Sequence, residues 1–450
     1  MPGVRRRALS LFAALVVALV VAGGLVRPVA AQGLVRDAGV EHALRQIAAP
    51  LLTAAGLPAS RIQILLINDP TMNAFVVDSN HIFMHTGMLM RLSTAAEVQA
   101  VLAHEAAHIA NGHIARRMTN MRSAALGSRL GLLLALAAGA AGAPGNAIMG
   151  IAAGTSGSAQ RIFLSHTRGE ESSADRSGVR YMAQAQVDPG AMLDVLDLFR
   201  GQEALAPGRQ DPYLLSHPLT RDRLRGLRGF VAAQQGRQFS DNETVDYWFS
   251  RAKAVVGAFM QNPAVTLRNL RRDDTSDAAL ISRAVAYHRQ SRTTQALDAI
   301  DTVIARRPND PYLMDLRGQI LLESRQYAGA VNAYAKAASL GPNEPLILAG
   351  YGRALLARDT PESNRQALGV LERAQAGDAN DPGMLRDLAV AYAKAGNNGM
   401  ASVATAERYA VLGRLRDAGV HARRAMGMVP RGSPGWLRAQ DVLNMVEAAE

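Results

Sequence analysis

The chain has 450 residues, of which 48% are apolar and 5% aromatic; it carries 49 basic against 38 acidic residues and no cysteine. This length exceeds one ordinary hydrophobic core, so we expect two or three domains. The lack of cysteine excludes disulfides, thiolate zinc sites and a lipid anchor on cysteine, and no basic cluster interleaved with aromatics supports nucleic-acid binding.

The N-terminus has the pattern of an export signal. Arg5-Arg6-Arg7 precedes an apolar run from Ala8 to Val26, and small residues at Val29-Ala30-Ala31 come before Gln32. This pattern predicts a signal peptide over residues 1–31, cleaved after Ala31, and a location in the bacterial periplasm. Because the apolar run is somewhat long for a signal peptide, an uncleaved membrane anchor is the alternative.

Residues 32–235 are expected to form the first folded domain, in which three strands precede a long helix. The strands are predicted at Arg61 to Asn68, Ala74 to Val77 and His81 to His85. The helix is predicted from Ala95 to Met118, because Thr94 and Glu97 have the spacing of a capping box.

The helix contains the sequence His104-Glu105-Ala106-Ala107-His108. Four residues make about one helical turn, so both imidazoles lie on one face and can bind the same ion. Glu105 lies beside them, where it can accept a proton from a water activated by the metal. The alternative is two surface histidines on an ordinary helix, and the apolar residues on both sides of the motif argue against it.

Residues 130–154 are mostly Ala, Gly and Leu and are interrupted at Pro144-Gly145-Asn146. Each half is too short to span a bilayer. The segment is interpreted as a helical hairpin that contacts a membrane or covers the active site, or as a buried core hairpin.

A third zinc ligand is expected at Glu171. Glu171 and Asp175 are four residues apart and share a helical face, so Glu171 can bind the metal while Asp175 accepts a hydrogen bond from the non-ligating nitrogen of His104. Without the His-Glu-x-x-His motif, Glu171 and Asp175 would be interpreted as the solvent-exposed acidic start of a helix. Glu170 is expected to point elsewhere, and His113, five residues after His108, is interpreted as structural because it falls around the helix from the ligand face.

A His-Glu-x-x-His helix followed by Glu-x-x-x-Asp resembles the gluzincin peptidases. Asn73-Ala74-Phe75, Thr86-Gly87 and Leu102-Ala103-His104 are similar to motifs of the family that includes the CAAX prenyl proteases, the HtpX proteases and the mitochondrial Oma proteases. The resemblance implies a zinc endopeptidase with one Zn²⁺ per chain, held by His104, His108 and Glu171, with Glu105 as the general base.

The same family carries a His-Pro motif, which His217-Pro218 with Arg223 matches. His217 is expected either to occupy the open zinc position as a fourth ligand or to donate a hydrogen bond to the oxyanion, and an ordered loop residue is the third reading. The strand at His81 to His85 is expected to hold an extended substrate by backbone pairing.

The last part of the chain, residues 275–450, contains a repeat. Pro308-Asn309-Asp310-Pro311 recurs as Pro342-Asn343-Glu344-Pro345, an offset of 34 residues, and small residues recur in step at Ala284, Gly318 and Gly352 and at Ala296, Ala330 and Ala367. This period predicts tetratricopeptide repeats stacked in an α-solenoid with a groove for protein segments. A fourth unit near Pro382 is fainter, and irregular helices are expected after Ala404.

The predicted fold is therefore mainly α: a gluzincin-type metallopeptidase domain with a small β-sheet edge, a connector at residues 236–274, and a separate stack of repeats. This architecture is similar to the β-barrel-assembly-enhancing proteases of the periplasm. That resemblance implies quality control of unfolded or misfolded outer-membrane proteins, and contact of the repeats with the β-barrel assembly machinery. The net charge of +11 allows peripheral contact with an anionic membrane. The alternatives are a chaperone or assembly factor with a latent peptidase, and a membrane-anchored protease.

Overall fold

The computed structural model describes residues 33–76, 78–116, 168–202 and 210–449. The predicted signal peptide and the segment 130–154 lie outside these ranges. Within the described part of the chain, no helix combines the length and apolarity needed to span a membrane.

The molecule is mainly α, with one small sheet near the N-terminus. The strands are β1 Leu34–Val35, β2 Gln63–Ile67, β3 Ala74–Val76 and β4 His81–His85. The helices of the first half are α1 Ala38–Ala54, α2 Thr86–Arg91, α3 Ala95–Ala110, α4 Arg168–Gln184, α5 Ala191–Asp197, α6 Pro212–Ser216 and α7 Arg221–Ala232. Those of the second half are α8 Glu243–Met260, α9 Pro263–Asn269, α10 Asp277–Arg289, α11 Thr293–Arg306, α12 Pro311–Glu323, α13 Tyr327–Leu340, α14 Pro345–Arg358, α15 Pro361–Gly377, α16 Pro382–Lys394, α17 Asn398–Val411, α18 Leu415–Met426 and α19 Pro434–Ala449.

The strands pair in the order β1-β2-β4-β3, which places β4 inside the sheet. β4 runs parallel to β2 and antiparallel to β3, so both of its backbone edges are used. The expectation that His81 to His85 pairs with substrate is therefore wrong. On that side of the sheet, the edge strand is β3.

Helix α3 begins where the sequence predicts and ends earlier. Thr94 Oγ1 accepts a hydrogen bond from the Glu97 backbone N–H at 3.2 Å, while the Glu97 carboxylate accepts from the N–H of Ser93 at 2.6 Å, one residue before the predicted partner. The helix ends at Ala110 because Gly112 has a φ of +69°, which a right-handed helix does not allow. The predicted single helix to Met118 is therefore interrupted at Asn111 and Gly112; residues 113–116 are helical again, and residues 117 and 118 lie outside the described ranges.

A single hydrophobic core runs from the first domain into the first repeats. It includes buried residues from Val40 in α1 to Ile320 in α12, together with Val245 and Phe249 of α8. Residues 236–274 thus contribute a packed helix, and the repeats do not form the separate stack that the sequence suggested.

Paired helices continue to Ala449, so the expected irregularity after Ala404 is also wrong. The small residues of the repeat sit where helices touch. A Cβ added to Gly318 would lie 2.7 Å from Tyr334 Cδ2, and one added to Gly352 would lie 2.4 Å from Leu371 Cγ. Both distances are too short for real contacts, so only glycine permits this approach.

Ion pairs tie α1 and the residues just before it to the repeats. Arg36 lies 2.5 Å from Asp378, and Arg45 lies 3.0 Å from Glu344. The Tyr312 hydroxyl hydrogen-bonds to His42 Nδ1 at 2.7 Å. The N-terminal helix of the first domain is therefore held by three successive parts of the repeat array.

Candidate metal centre

Helix α3 brings two imidazoles and a carboxylate into the core. His104 and His108 are 2% and 0% exposed, and their Nε2 atoms lie 3.1 Å apart. Glu105 is fully buried between neighbouring apolar residues of the same helix. Burial of three ionisable side chains in an otherwise apolar helix costs free energy, so their presence points to chemistry rather than to stability.

Helix α4 supplies the expected carboxylates. Glu171 Oε2 lies 3.4 Å from His104 Nε2, and Glu171 Oε1 lies 3.4 Å from His108 Nε2. Asp175 Oδ1 lies 3.0 Å from His104 Nδ1. Glu171 thus faces the Nε2 atoms of both imidazoles, and Asp175 faces the opposite nitrogen of His104.

His217 completes the cluster from the loop after α6. Its Nδ1 lies 3.1 Å from Glu171 Oε1 and 3.3 Å from His104 Nε2, while its Nε2 lies 3.3 Å from Glu105 Oε1. Its ring packs against Tyr213 with the centroids 4.7 Å apart. Pro218 disfavours helical backbone at His217, which has φ −126° and ψ 75° and so leaves the helix.

One ligand atom from each of His104, His108, Glu171 and His217 can be chosen so that all lie within 4.8 Å of one another. Three imidazoles and a carboxylate, all buried, form a donor set that suits zinc in tetrahedral geometry. The residues present therefore fit a bound zinc ion.

Arg223 of α7 binds the outer side of the cluster. Its guanidinium lies 2.6 Å from Glu171 Oε2, donates to both Asp175 oxygens at 2.7 and 2.9 Å, and donates to the His217 carbonyl at 3.2 Å. Burial would raise the pKa of Asp175, but Arg223 lowers that pKa to about 2. Arg223 therefore keeps the buried carboxylates charged.

The two imidazoles of α3 differ in their electrostatic surroundings. Burial lowers the pKa of His104, but hydrogen bonds with Asp175 and Glu171 raise it to about 9. Burial holds the pKa of His108 well below its usual value. The two histidines share Glu171 as an acidic partner, and His104 has Asp175 as a second one.

The rival residues lie outside the cluster. The Glu170 carboxylate is 3.7 Å from Arg116 Nε and is not part of the cluster. His113 Nδ1 lies 2.9 Å from His108 Nδ1, behind the cluster. Its predicted position around the helix is wrong, because the helix is interrupted at Gly112 and His113 lies beyond the break.

The edge strand β3 is coupled to the segment that carries His217. The Tyr213 N–H donates to the Met72 carbonyl at 3.2 Å, and the Met72 N–H donates to Asp211 at 3.2 Å. β3 also contacts α3, the helix of the cluster. A chain paired with β3 would therefore lie next to a strand that contacts the helix of the cluster.

The chain is similar to several known peptidases. Residues 39–231 match the model of peptidase family M48. The chain is 26% identical over 415 residues, 89% of its length, to the β-barrel assembly-enhancing protease of Escherichia coli strain K12, of which 81% is covered. It is 27% identical over 195 residues to the mitochondrial metalloendopeptidase OMA1 of Schizosaccharomyces pombe, covering 42% of this chain and 53% of that one.

Among solved structures, a tetratricopeptide protein of Thermus thermophilus is 18% identical and covers 38% of this chain and 100% of its own, with a TM-score of 0.26.

Proposed function

We propose that the chain is a zinc-dependent endopeptidase of peptidase family M48, whose model residues 39–231 match, and that it uses His104, His108 and Glu171 as metal ligands. The observation that carries this proposal is the buried convergence of these side chains next to Glu105. Asp175, bonded to the outer nitrogen of His104, would fix the orientation of that ring.

The chain's own residues supply the proton transfers. A zinc ion, when bound, acidifies a water molecule and polarises the scissile carbonyl. Glu105 accepts the proton of the attacking water and then delivers it to the leaving amine nitrogen. Arg223 contributes by keeping Glu171 charged and oriented as a ligand, and by keeping Asp175 charged as the acceptor for His104.

The substrate would bind in extended form along β3. Among the residues that the structure describes, this strand lies at the edge of the sheet, contacts α3, and connects through Met72 to the loop of His217. Backbone pairing at a sheet edge accepts many sequences, which suits an endopeptidase that acts on unfolded chains.

His217 is proposed to act as a gate. Its Nδ1 points into the cluster and its Nε2 lies 3.3 Å from Glu105, so in this position it occupies the fourth ligand place and contacts the general base. Substrate cleavage would then require the loop to move. The same observation supports the second candidate function, a chaperone or assembly factor whose peptidase is latent.

The proposed setting is the bacterial periplasm. The named relative from Escherichia coli is an assembly-enhancing protease for β-barrels, and this chain matches most of its length. We therefore propose that unfolded or misfolded outer-membrane proteins are the substrates, and that the repeats contact the β-barrel assembly machinery.

The test compares the purified chain with Glu105→Gln. We expect one zinc per chain in both proteins, and cleavage of casein by the unmutated chain alone, because the amide cannot accept the proton. A chelator should abolish that cleavage. Normal activity in Glu105→Gln would contradict the mechanism, and absence of bound metal would contradict the site.

A further inference from the structure

His113 lies behind the metal centre and contacts one of the proposed ligands. The Nε2 atom of His108 faces His104 and Glu171, which makes it the ligand atom. The other ring nitrogen, Nδ1, lies 2.9 Å from His113 Nδ1, with the ring planes at 71°. His113 and His108 are 1% and 0% exposed, so water does not compete for this contact.

The backbone at Gly112 produces this contact. On a continued helix at about 100° per residue, a residue five positions after His108 would lie about 140° around the axis. Instead the helix ends at Ala110, and Gly112 takes a φ of +69°. The helix is interrupted there and resumes at residue 113, and this break lets His113 Nδ1 lie 2.9 Å from His108 Nδ1.

Proton placement fixes the direction of the hydrogen bond. A neutral histidine that offers the Nε2 lone pair to a metal carries its proton on Nδ1. His108 therefore donates through Nδ1, and His113 must accept through its own Nδ1, which places the proton of His113 on Nε2. His113 would then do for His108 what Asp175 does for His104.

We propose that His113 is a positioning residue that orients His108 for metal binding by accepting its Nδ1–H. This inference rests on the proposed zinc site. A neutral acceptor suits the position of His113, because a buried carboxylate at that position would need a compensating cation. Arg223 serves that purpose for Asp175.

The test uses two substitutions of similar size. His113→Asn keeps an acceptor, because Oδ1 can take the position of Nδ1, whereas His113→Leu fills the space without one. We expect His113→Leu to weaken zinc binding by roughly ten- to a hundredfold, as the loss of such contacts does. His113→Asn should stay close to the unmutated value.

Zinc affinity is measured by competition with a chromophoric chelator, with thermal unfolding of each metal-free protein as the check on folding. His421→Leu, in helix α18 of the repeats, is the control and should leave affinity unchanged. Nitrogen-15 chemical shifts of the unmutated, zinc-loaded protein should show His113 protonated on Nε2 and unprotonated on Nδ1.

Unchanged affinity in a folded His113→Leu protein would overturn the inference, as would equal losses in both variants or a proton on His113 Nδ1. If His113→Leu does not fold, the Asn variant and the nitrogen shifts decide. Failure of the unmutated chain to bind zinc would instead contradict the proposed function.

Discussion

Two adjacent glutamates at the start of α4 point in different directions. Glu171 is 1% exposed and contacts both histidines of α3, whereas Glu170 faces Arg116. We expect Glu171→Ala to lose zinc and Glu170→Ala to retain it, because only Glu171 offers an oxygen to the cluster. Metal content after gel filtration measures this, and the opposite outcome would contradict the proposed ligand set.

His217 admits two opposite outcomes. If it blocks the fourth ligand position and Glu105, then His217→Ala should raise the rate of casein cleavage. If it donates to the oxyanion, the same change should lower the rate by roughly a hundredfold or more. The geometry favours the increase. A rate unchanged from that of the unmutated chain would remove both roles.

Spacing placed Glu171 and Asp175 because both lie on one regular helix. It could not place Arg223, whose contacts with Asp175 span 48 residues and depend on how α7 packs against α4. It also misplaced His113, because the extrapolation assumed that α3 continued. The positive φ of Gly112 was the missing information, and a glycine inside the predicted helix was its only signal.

Among the elements, the strands and the start of α3 could be predicted, because alternation and capping are local properties. The position of β4 inside the sheet could not be predicted. It depends on pairing between β2 and β4, which are separated in the sequence by β3. The paired helices after Ala404 were missed for a similar reason: their contacts are clear in space while their sequence repeat is weak.

The contact between α1 and the repeats should respond to pH. Burial and the neighbouring Arg45 lower the pKa of His42 to about 4. An unfolded histidine titrates near pH ~6.5, so between there and pH ~4 the unfolded chain binds a proton that the folded chain does not. Stability should therefore fall as the pH drops through this window, by at most about 1.4 kcal/mol per pH unit from this group.

The measurement is the unfolding midpoint between pH 7 and pH 4 for the unmutated chain and for His42→Asn. Asparagine can still accept the Tyr312 hydroxyl bond but does not titrate. The unmutated chain should lose stability more steeply than the variant. Parallel curves would show that His42 is not the group responsible.

At the scale of the whole molecule, the shared core decides where the chain can be cut. Residues of α10 to α12, such as Ile281, Val285 and Ile320, belong to the same core as α3 and the sheet. A chain ending at residue 274 should therefore unfold or aggregate, because it exposes the matching apolar face of α8.

A chain ending at residue 326 keeps α10 to α12 and should remain folded, bind zinc and cleave a small peptide, while acting less well on proteins. Circular dichroism melting and metal content of the two truncations distinguish them. Equal stability of both would mean that the repeats are an independent unit after all.

The ion pairs of Arg36 and Arg45 with the repeats also affect the order in which the contacts of the molecule can form. The Arg36–Asp378 contact joins positions 342 residues apart, and the Arg45–Glu344 contact joins positions 299 residues apart. The N-terminus is synthesised first, at roughly 5–20 residues per second, so α1 is made tens of seconds before these partners. Among the described helices, α1 is made first, yet the ion pairs of Arg36 and Arg45 with the repeats are among the last contacts that can form. Contacts of such long range also slow folding after synthesis. During that interval Arg36 and Arg45 lack their acidic partners, so the contacts that join the first domain to the later repeats form only after those repeats have been made.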